Sequence, residues 1–464
     1  MPAREAGPFP RAVLDVLAVA ADRPVFEHGT RVVTGDELLD LTARIAHGLR
    51  SRGIGPGDGL ALLLGVTPEA FATILAGHAV GARVVGVRPG LTDAQVRHLL
   101  GLDIALVLED ADVDALRRHG SAELTCAGRP DDVARLIHTS GSTGAPKACA
   151  QTYAAMTRAW TARPEAWPPA IRDLAGRLDR YLVFGSLSSQ VMFEYAVLTL
   201  TAGGTVVVAD TPAPVESITR HRATARVITV PGLAKLVRGQ RERPADLSAL
   251  RALLVSGSPL TAERHREALE VLGPVLFHGY GQTETGMISM ATPADPPGTV
   301  GRPPVDVEVR DGELFVRTPG QAGSYWANPA ESAEVFVDGW VRTRDLGHLD
   351  ADGFLHLTGR ARDVVIVNAN LHHIGPIEQV LAEHPDVAEA YVVAVPDEDT
   401  GEAVHAFVVP RADRVPALAE LRHLVTERLG AACAPVRVTA IAEPPVAPSG
   451  KPDKRRLVEP VGTA

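Results

Sequence analysis

Residues 60–87 read LALLLGVTPEAFATILAGHAVGARVVGV. An apolar run suited to a buried strand (60–66) leads into a helical stretch (68–82) and then a second apolar run (83–87). Strand, helix and strand in so short a span point to an α/β layer built on a largely parallel sheet. The same texture returns at RYLVFGSL (180–187), GTVVVA (204–209), ARVITV (225–230) and RALLVSG (251–257), with helical stretches between. Upstream, residues 34–50 have the signature of an amphipathic helix. Thr34 and Glu37 form a T-x-x-E capping box, and Leu38, Leu39, Ile45 and Leu49 supply the apolar face.

The texture changes near residue 300. VDVEVRDGELFVRTPG (305–320) and GHLDADGFLHLTG (347–359) read as hairpins with Asp-Gly at or near their turns. Residues 359–410 then read as strand, helix, strand, turn and strand, followed by a helix over 415–430 and a basic tail. With 464 residues the chain is too long for one core. The expected division is a large α/β N-terminal domain with a small β-rich subdomain, residues 1–361, and a small α+β C-terminal domain, residues 362–464. No fixed-period repeat is evident.

Composition excludes several classes. A formal net charge of −10 argues against a nucleic-acid partner. No run of about 18 apolar residues appears, so no membrane span is expected. The first 24 residues carry Asp15 and Asp22 and do not read as a signal peptide. Cys126, Cys149 and Cys433 have neither metal-ligand spacing nor a disulfide pattern, which fits a reducing cytoplasm.

Residues 136–150, LIHTSGSTGAPKACA, concentrate hydroxyls and glycines beside one cation, Lys147. Glycines let backbone N–H groups turn toward an anion, Ser and Thr add donors, and Lys147 adds a point charge. The natural ligand of such a loop is a phosphate; the bland alternative is a flexible surface turn. A P-loop of the G-x-x-x-x-G-K-[ST] kind is ruled out, because Pro146 precedes the lysine and Ala148 follows it.

Five stretches in order carry a family resemblance: TSGSTGAPK (139–147), GYGQTE (279–284), TRDLG (343–347), GRARD (359–363) and PSGKPDKRRL (448–457). Together they resemble the motifs of the adenylate-forming superfamily, which includes acyl-CoA synthetases, peptide-synthetase adenylation domains and luciferases. The resemblance implies an ATP-dependent ligase that joins a small acid to AMP, releases pyrophosphate and passes the acyl group to an acceptor.

It also implies roles. Thr139, Ser140, Ser142, Thr143 and Lys147 would grip the β- and γ-phosphates in the loop that contains Gly141 and Gly144. Thr283 would meet the α-phosphate, and Glu284 would hold Mg²⁺. Tyr280 would stack near the adenine, within the motif that also holds Gly279, Gly281 and Gln282; Gly257, Ser258 and Pro259 would border the nucleotide. Asp345 would accept the ribose hydroxyls and Arg360 would support it. Lys451 would bridge the acid and the α-phosphate, and Arg362 would be the hinge. With Lys451, the catalytic set is Thr283, Glu284 and Lys147. The acid would lie among Gln190, Phe193, Glu194, Pro231, Ser256, His278 and Gly279, with Glu194 available to a substrate amine or phenol.

The chain departs from the family pattern in several places. Arg344 stands where glycine is usual before Asp345. Asn368-Ala369-Asn370 replaces a glycine-bearing turn, which puts thioester formation in question; Asn tolerates φ > 0 at modest cost. His372 and His373 are adjacent and face opposite ways if on a strand. Gln190 follows Ser188-Ser189 at the acid gate, and Thr152-Tyr153 replaces a usual Thr-His. The acceptor is open between CoA, a carrier-protein phosphopantetheine in trans and an amine; no carrier segment follows residue 464. Two alternatives are activation of an inorganic oxyanion such as nitrite for attack by an aryl amine, and a non-catalytic nucleotide-binding relative.

Overall fold

The computed structural model of the protein describes residues 7–89, 91–139, 147–211, 213–257, 260–368, 370–411, 414–447 and 452–458. Its strands form four sheets. In the first, Arg180–Val183, Thr205–Val208, Ala225–Ile228, Ala252–Val255 and Leu276–Gln282 are joined as parallel neighbours. Antiparallel strands close both edges, Gly286–Ala291 at one and Arg31–Thr34 at the other. The second sheet has Gly59–Leu63, Arg83–Gly86, Leu106–Glu109 and Val133–Thr139 in parallel, with Lys147–Thr152 antiparallel to the last. The parallel sheet expected from the strand–helix alternation therefore occurs twice.

One core unites the two sheets. Leu60 and Leu62 of the second sheet share a buried cluster with Tyr181 and Val206 of the first. The helix Pro68–Ala79 is buried at every position but Glu69, as a helix apolar on nearly all sides must be. Helix Gly35–Ser51 begins at the Thr34 cap with both hydrogen bonds of the capping box formed. Such a cap stabilises the fold by about 1 kcal/mol.

The third sheet is antiparallel and contains both expected hairpins. Asp306–Arg310 pairs with Glu313–Arg317, and Trp340–Leu349 pairs with Leu355–Arg360. The small C-terminal domain holds the fourth: Val364–Val367, Asn370–His373, Val387–Asp397 and Gly401–Pro410, with Arg437–Ala440 parallel at one edge. Helices Ile374–Ala382 and Leu418–Leu429 bury Ile377 and Leu421 against it. The sequence reading lacked the strand Asn370–His373. Its residues include no β-branched side chain, and the Asn-rich stretch before it reads as loop. Asn368 takes φ +50, so the turn keeps its left-handed residue without glycine. His372 and His373 lie on that strand; His372 Nδ1 is 3.3 Å from Cys433 Sγ.

The small domain rests on the helix Ala262–Leu272 of the large one. Arg264 Nη1 lies 2.6 Å from Glu389, and Arg264 Nε donates to Ala388 O at 2.8 Å. Among the described residues no helix is long and apolar enough to cross a membrane, and all three cysteines are free thiols.

Candidate active site

The Ser/Gly/Thr loop closes the hairpin between Val133–Thr139 and Lys147–Thr152, with Thr139 directly opposite Lys147. Ser140, Gly141, Ser142, Thr143 and Gly144 lie outside the described residues, as do Ser258, Pro259 and Lys451. The Lys147 side chain is nearly buried and forms an ion pair with Glu331. Its ammonium stands 5.6 Å from the centre of the Tyr325 ring. Glu331 sits in the first turn of helix Pro329–Val335, where Asn328 caps its N–H. Burial lifts the Glu331 carboxyl, but hydrogen bonds from Lys147 and Arg344 outweigh it and hold the group below the usual carboxylate range.

From Tyr325 the contacts run on to the second motif. Its hydroxyl donates to Glu284 Oε1 at 2.7 Å. Glu284 lies in the tight hairpin between Leu276–Gln282 and Gly286–Ala291. A Cβ on Gly281 would stand 2.4 Å from Gly286 O, so only glycine fits there. Half-buried Thr283 separates Glu284 from Gln282, whose Nε2 donates to Asp345 Oδ2 at 2.6 Å and to Thr343 O at 2.8 Å. The Tyr280 hydroxyl donates to the same Asp345 oxygen at 2.8 Å, and Arg360 Nε stands 3.0 Å from Asp345 Oδ1. Burial first, and the Asp345 charge second, push the Tyr280 phenol well up. Asp345 in turn holds the Arg360 guanidinium above its usual range. Lys147 and Glu284 thus meet through Tyr325 in one polar cluster, and Asp345 and Arg360 lie in a second, which Gln282 of the same hairpin joins.

The helix Gln190–Thr201 approaches the same hairpin. A Cβ on Gly279 would stand 3.9 Å from Tyr195 Oη, and one on Gly286 would stand 3.7 Å from Gln190 Nε2. Gln190 and Phe193 border a small open recess, together with His78, Arg135, Leu187 and Ser188. The Glu194 carboxylate, expected to be available to a substrate amine or phenol, already accepts on Oε1 from Arg135 Nη2 at 2.6 Å and from Gln190 Nε2 at 3.0 Å. A partly buried carboxylate needs a partner, and the protein supplies one internally. Pro231 lies elsewhere, in a cleft between helix Val230–Glu242 and the small domain that Lys235 and Glu443 also line. His278 is buried with Nδ1 3.0 Å from Thr299 O. Ser256 and Gly257 follow the strand Ala252–Val255.

A family model described as AMP-binding enzyme matches residues 15–327, and one for the AMP-binding enzyme C-terminal domain matches residues 376–451. The chain belongs to the AMP-binding enzyme family. It is an AMP-forming ligase. The solved structure of an amide bond synthetase from Marinactinospora thermotolerans is similar to it at a TM-score of 0.83 and 32% identity, covering 96% of this chain and 98% of that one. A feruloyl-CoA synthase of an Amycolatopsis species is 32% identical, over 82% of this chain and 84% of its own length. A medium/long-chain-fatty-acid–CoA ligase of Mycobacterium tuberculosis is 29% identical, over 94% and 87%.

Several members of the site in this AMP-binding enzyme escaped the sequence reading. Tyr325 was signalled only by its place in SYWANP, an aromatic pair just before the Asn328 helix cap. Glu331 and Arg135 carry no motif. Arg344 keeps the backbone conformation a glycine would favour, φ +60, and its side chain turns onto Glu331 and Glu334. Arg362 Nη2 lies 3.3 Å from Glu334. Tyr153, in the position of a usual histidine, is fully buried and donates to Ala82 O at 2.8 Å.

Proposed function

We propose that this chain uses ATP and Mg²⁺ to adenylate a small carboxylic acid and then transfers the acyl group to a thiol or an amine. In the first step a carboxylate oxygen attacks the α-phosphorus, the bond to the β-phosphate oxygen breaks, and pyrophosphate leaves. In the second, the acceptor attacks the acyl carbonyl and AMP leaves. The observation that carries this reading is the pair of polar clusters that one hairpin brings side by side: Lys147, Tyr325 and Glu284 in one, and Gln282, Asp345 and Arg360 in the other. On this reading Lys147 would meet the phosphates, Glu284 the metal and Asp345 the ribose hydroxyls, the three groups that a nucleoside triphosphate requires.

The residues fit Mg²⁺. No group of three or more His, Cys, Asp or Glu capable of holding a metal occurs among the described residues. Glu284 supplies one carboxylate with an oxygen beyond its bond to Tyr325, and phosphates and water complete such a site in enzymes that bind a metal–nucleotide complex. The ion's chemistry would be to screen the phosphates' charge. Asp345 would accept the ribose hydroxyls in place of Tyr280 and Gln282. Lys451 would neutralise charge between the acid and the α-phosphate, and the small domain would pivot at Arg362 between the two steps. Two relatives, the amide bond synthetase and the feruloyl-CoA synthase, support an amine and CoA as the acceptors to test.

The test is nucleotide product analysis with ATP, Mg²⁺ and a panel of aryl, amino and short aliphatic acids, with nitrite included. One acid should raise AMP and pyrophosphate together, and Lys451→Ala should remove that signal. Formation of ADP, or full activity in Lys451→Ala, would overturn the reading. Adding CoA or an amine to the responsive acid then identifies the acceptor by its product.

A further inference from the structure

Lys147 and Arg344 approach from different elements and donate to one and the same oxygen, Glu331 Oε1. Arg344 Nη1 makes that bond at 2.8 Å, and its Nη2 reaches Glu334 at 2.9 Å. Its Nε is buried without a hydrogen-bond partner. Arg344 achieves this from φ +60, a conformation disfavoured for any residue with a Cβ. Two cations on one carboxylate oxygen repel each other, and the second carboxylate, Glu334, is shared between Arg344 and Arg362, so three cations face two carboxylates. A polyphosphate offers several charged oxygens and suits a planar guanidinium beside an ammonium.

We propose that Arg344 is a second cation of the polyphosphate site, binding the β- and γ-phosphates of ATP and the released pyrophosphate together with Lys147. Glu331 is the internal anion that these phosphates displace: it keeps the two cations in place while the site is empty. This inference rests on the reading of Lys147 as a phosphate ligand. Arg344 lies next to Asp345 in sequence, so the ribose and polyphosphate ends of the nucleotide are read from adjacent residues of one strand.

Equilibrium binding of ATP, inorganic pyrophosphate and AMP to the full chain in the presence of Mg²⁺ tests it. Arg344→Gly is the variant of choice, because glycine adopts φ +60 without strain and the turn survives; a melting curve checks that it does. ATP and pyrophosphate should each bind about tenfold more weakly, and AMP within about twofold of the parent. Glu331→Gln should tighten pyrophosphate, since a charged competitor is gone. Unchanged pyrophosphate affinity in Arg344→Gly, with a clear loss in Lys147→Ala, overturns the inference and leaves the Lys147 reading standing. If Lys147→Ala also leaves ATP and pyrophosphate unchanged, the phosphate assignment falls and the inference with it. Equal weakening of AMP in Arg344→Gly would mean general distortion and would overturn the inference as well.

Discussion

Lys454 Nζ lies 2.7 Å from Glu378 Oε1, the same oxygen that accepts from the Val392 N–H at 2.7 Å. Burial lifts the Glu378 carboxyl above its usual range, and the Lys454 charge offsets this only in part. In the sequence Lys454, Arg455 and Arg456 read as a solvated basic tail. The structure instead ties Lys454 to the helix Ile374–Ala382, three residues after Lys451. If Lys451 acts as proposed, Lys454 would be a positioning residue for the segment that carries it. Lys454→Ala should lower kcat for pyrophosphate release about tenfold with little change in KM for ATP. A parallel rise in KM would assign Lys454 to nucleotide binding instead.

Asp345 is buried and receives Tyr280 and Gln282 on one oxygen and Arg360 beside the other. Replacing it strips a charged acceptor from the buried Tyr280 hydroxyl and the half-buried Gln282 amide. Asp345→Ala should therefore destabilise the fold by about 2 kcal/mol, read from denaturant unfolding. It should also weaken ATP binding far more than Tyr280→Phe, which removes one donor and keeps the carboxylate. Equal effects of the two substitutions would show that Asp345 serves packing alone.

How much of this was legible in the sequence depended on the range of each interaction. The parallel strands were readable because runs such as Val206–Val208 and Ala252–Val255 are apolar without alternation, the mark of a strand covered on both faces. The Thr34 cap was readable because its partner is three residues away. The network beneath the motifs was not. Lys147 meets Glu331 across 184 positions, and Arg135 meets Glu194 across 59. Nothing local to either residue signals a partner that the fold brings near. Glu194 was visible as a carboxylate at the acid gate, but only the second sheet shows that Arg135 already holds it.

Arg264 and Glu389 form an ion pair between the two domains in which both side chains are nearly buried, at 11% and 10% exposure. Arg264→Ala would leave the Glu389 carboxylate without a cation, and breaking a buried pair on one side costs about 3–5 kcal/mol. The small domain should then undock more often. Arg360 and Arg362, between the two domains, are natural tryptic sites, so limited trypsin digestion reads the change directly. Cleavage in that segment should accelerate by about tenfold or more, while Arg264→Lys, which keeps the charge, should show a smaller rise. An unchanged cleavage rate in Arg264→Ala would mean that other contacts hold the docked pose.

The buried histidines set an acid limit on stability. His78, near the end of the helix Pro68–Ala79, packs edge-on against Phe9 and Tyr153 with its Nδ1 unpartnered. Burial first, and the nearby Arg135 charge second, lower its pKa to about 3. Burial likewise lowers His138 and His265 to about 4. All three titrate from a reference of 6.5, so between that pH and about 4 the unfolded chain binds more protons than the folded one. Their contribution is complete above pH 6.5 and is lost as pH falls toward the folded values. Each excess proton adds a slope of about 1.4 kcal/mol per pH unit. Denaturant midpoints should therefore drop steadily from pH 7 to pH 5. His78→Phe keeps an aromatic ring between Phe9 and Tyr153 and removes the titration, so it should flatten the slope by about one proton. A variant with the parent's full slope would show that His78 is protonated at no cost in the folded protein, and that the acid sensitivity arises from other groups.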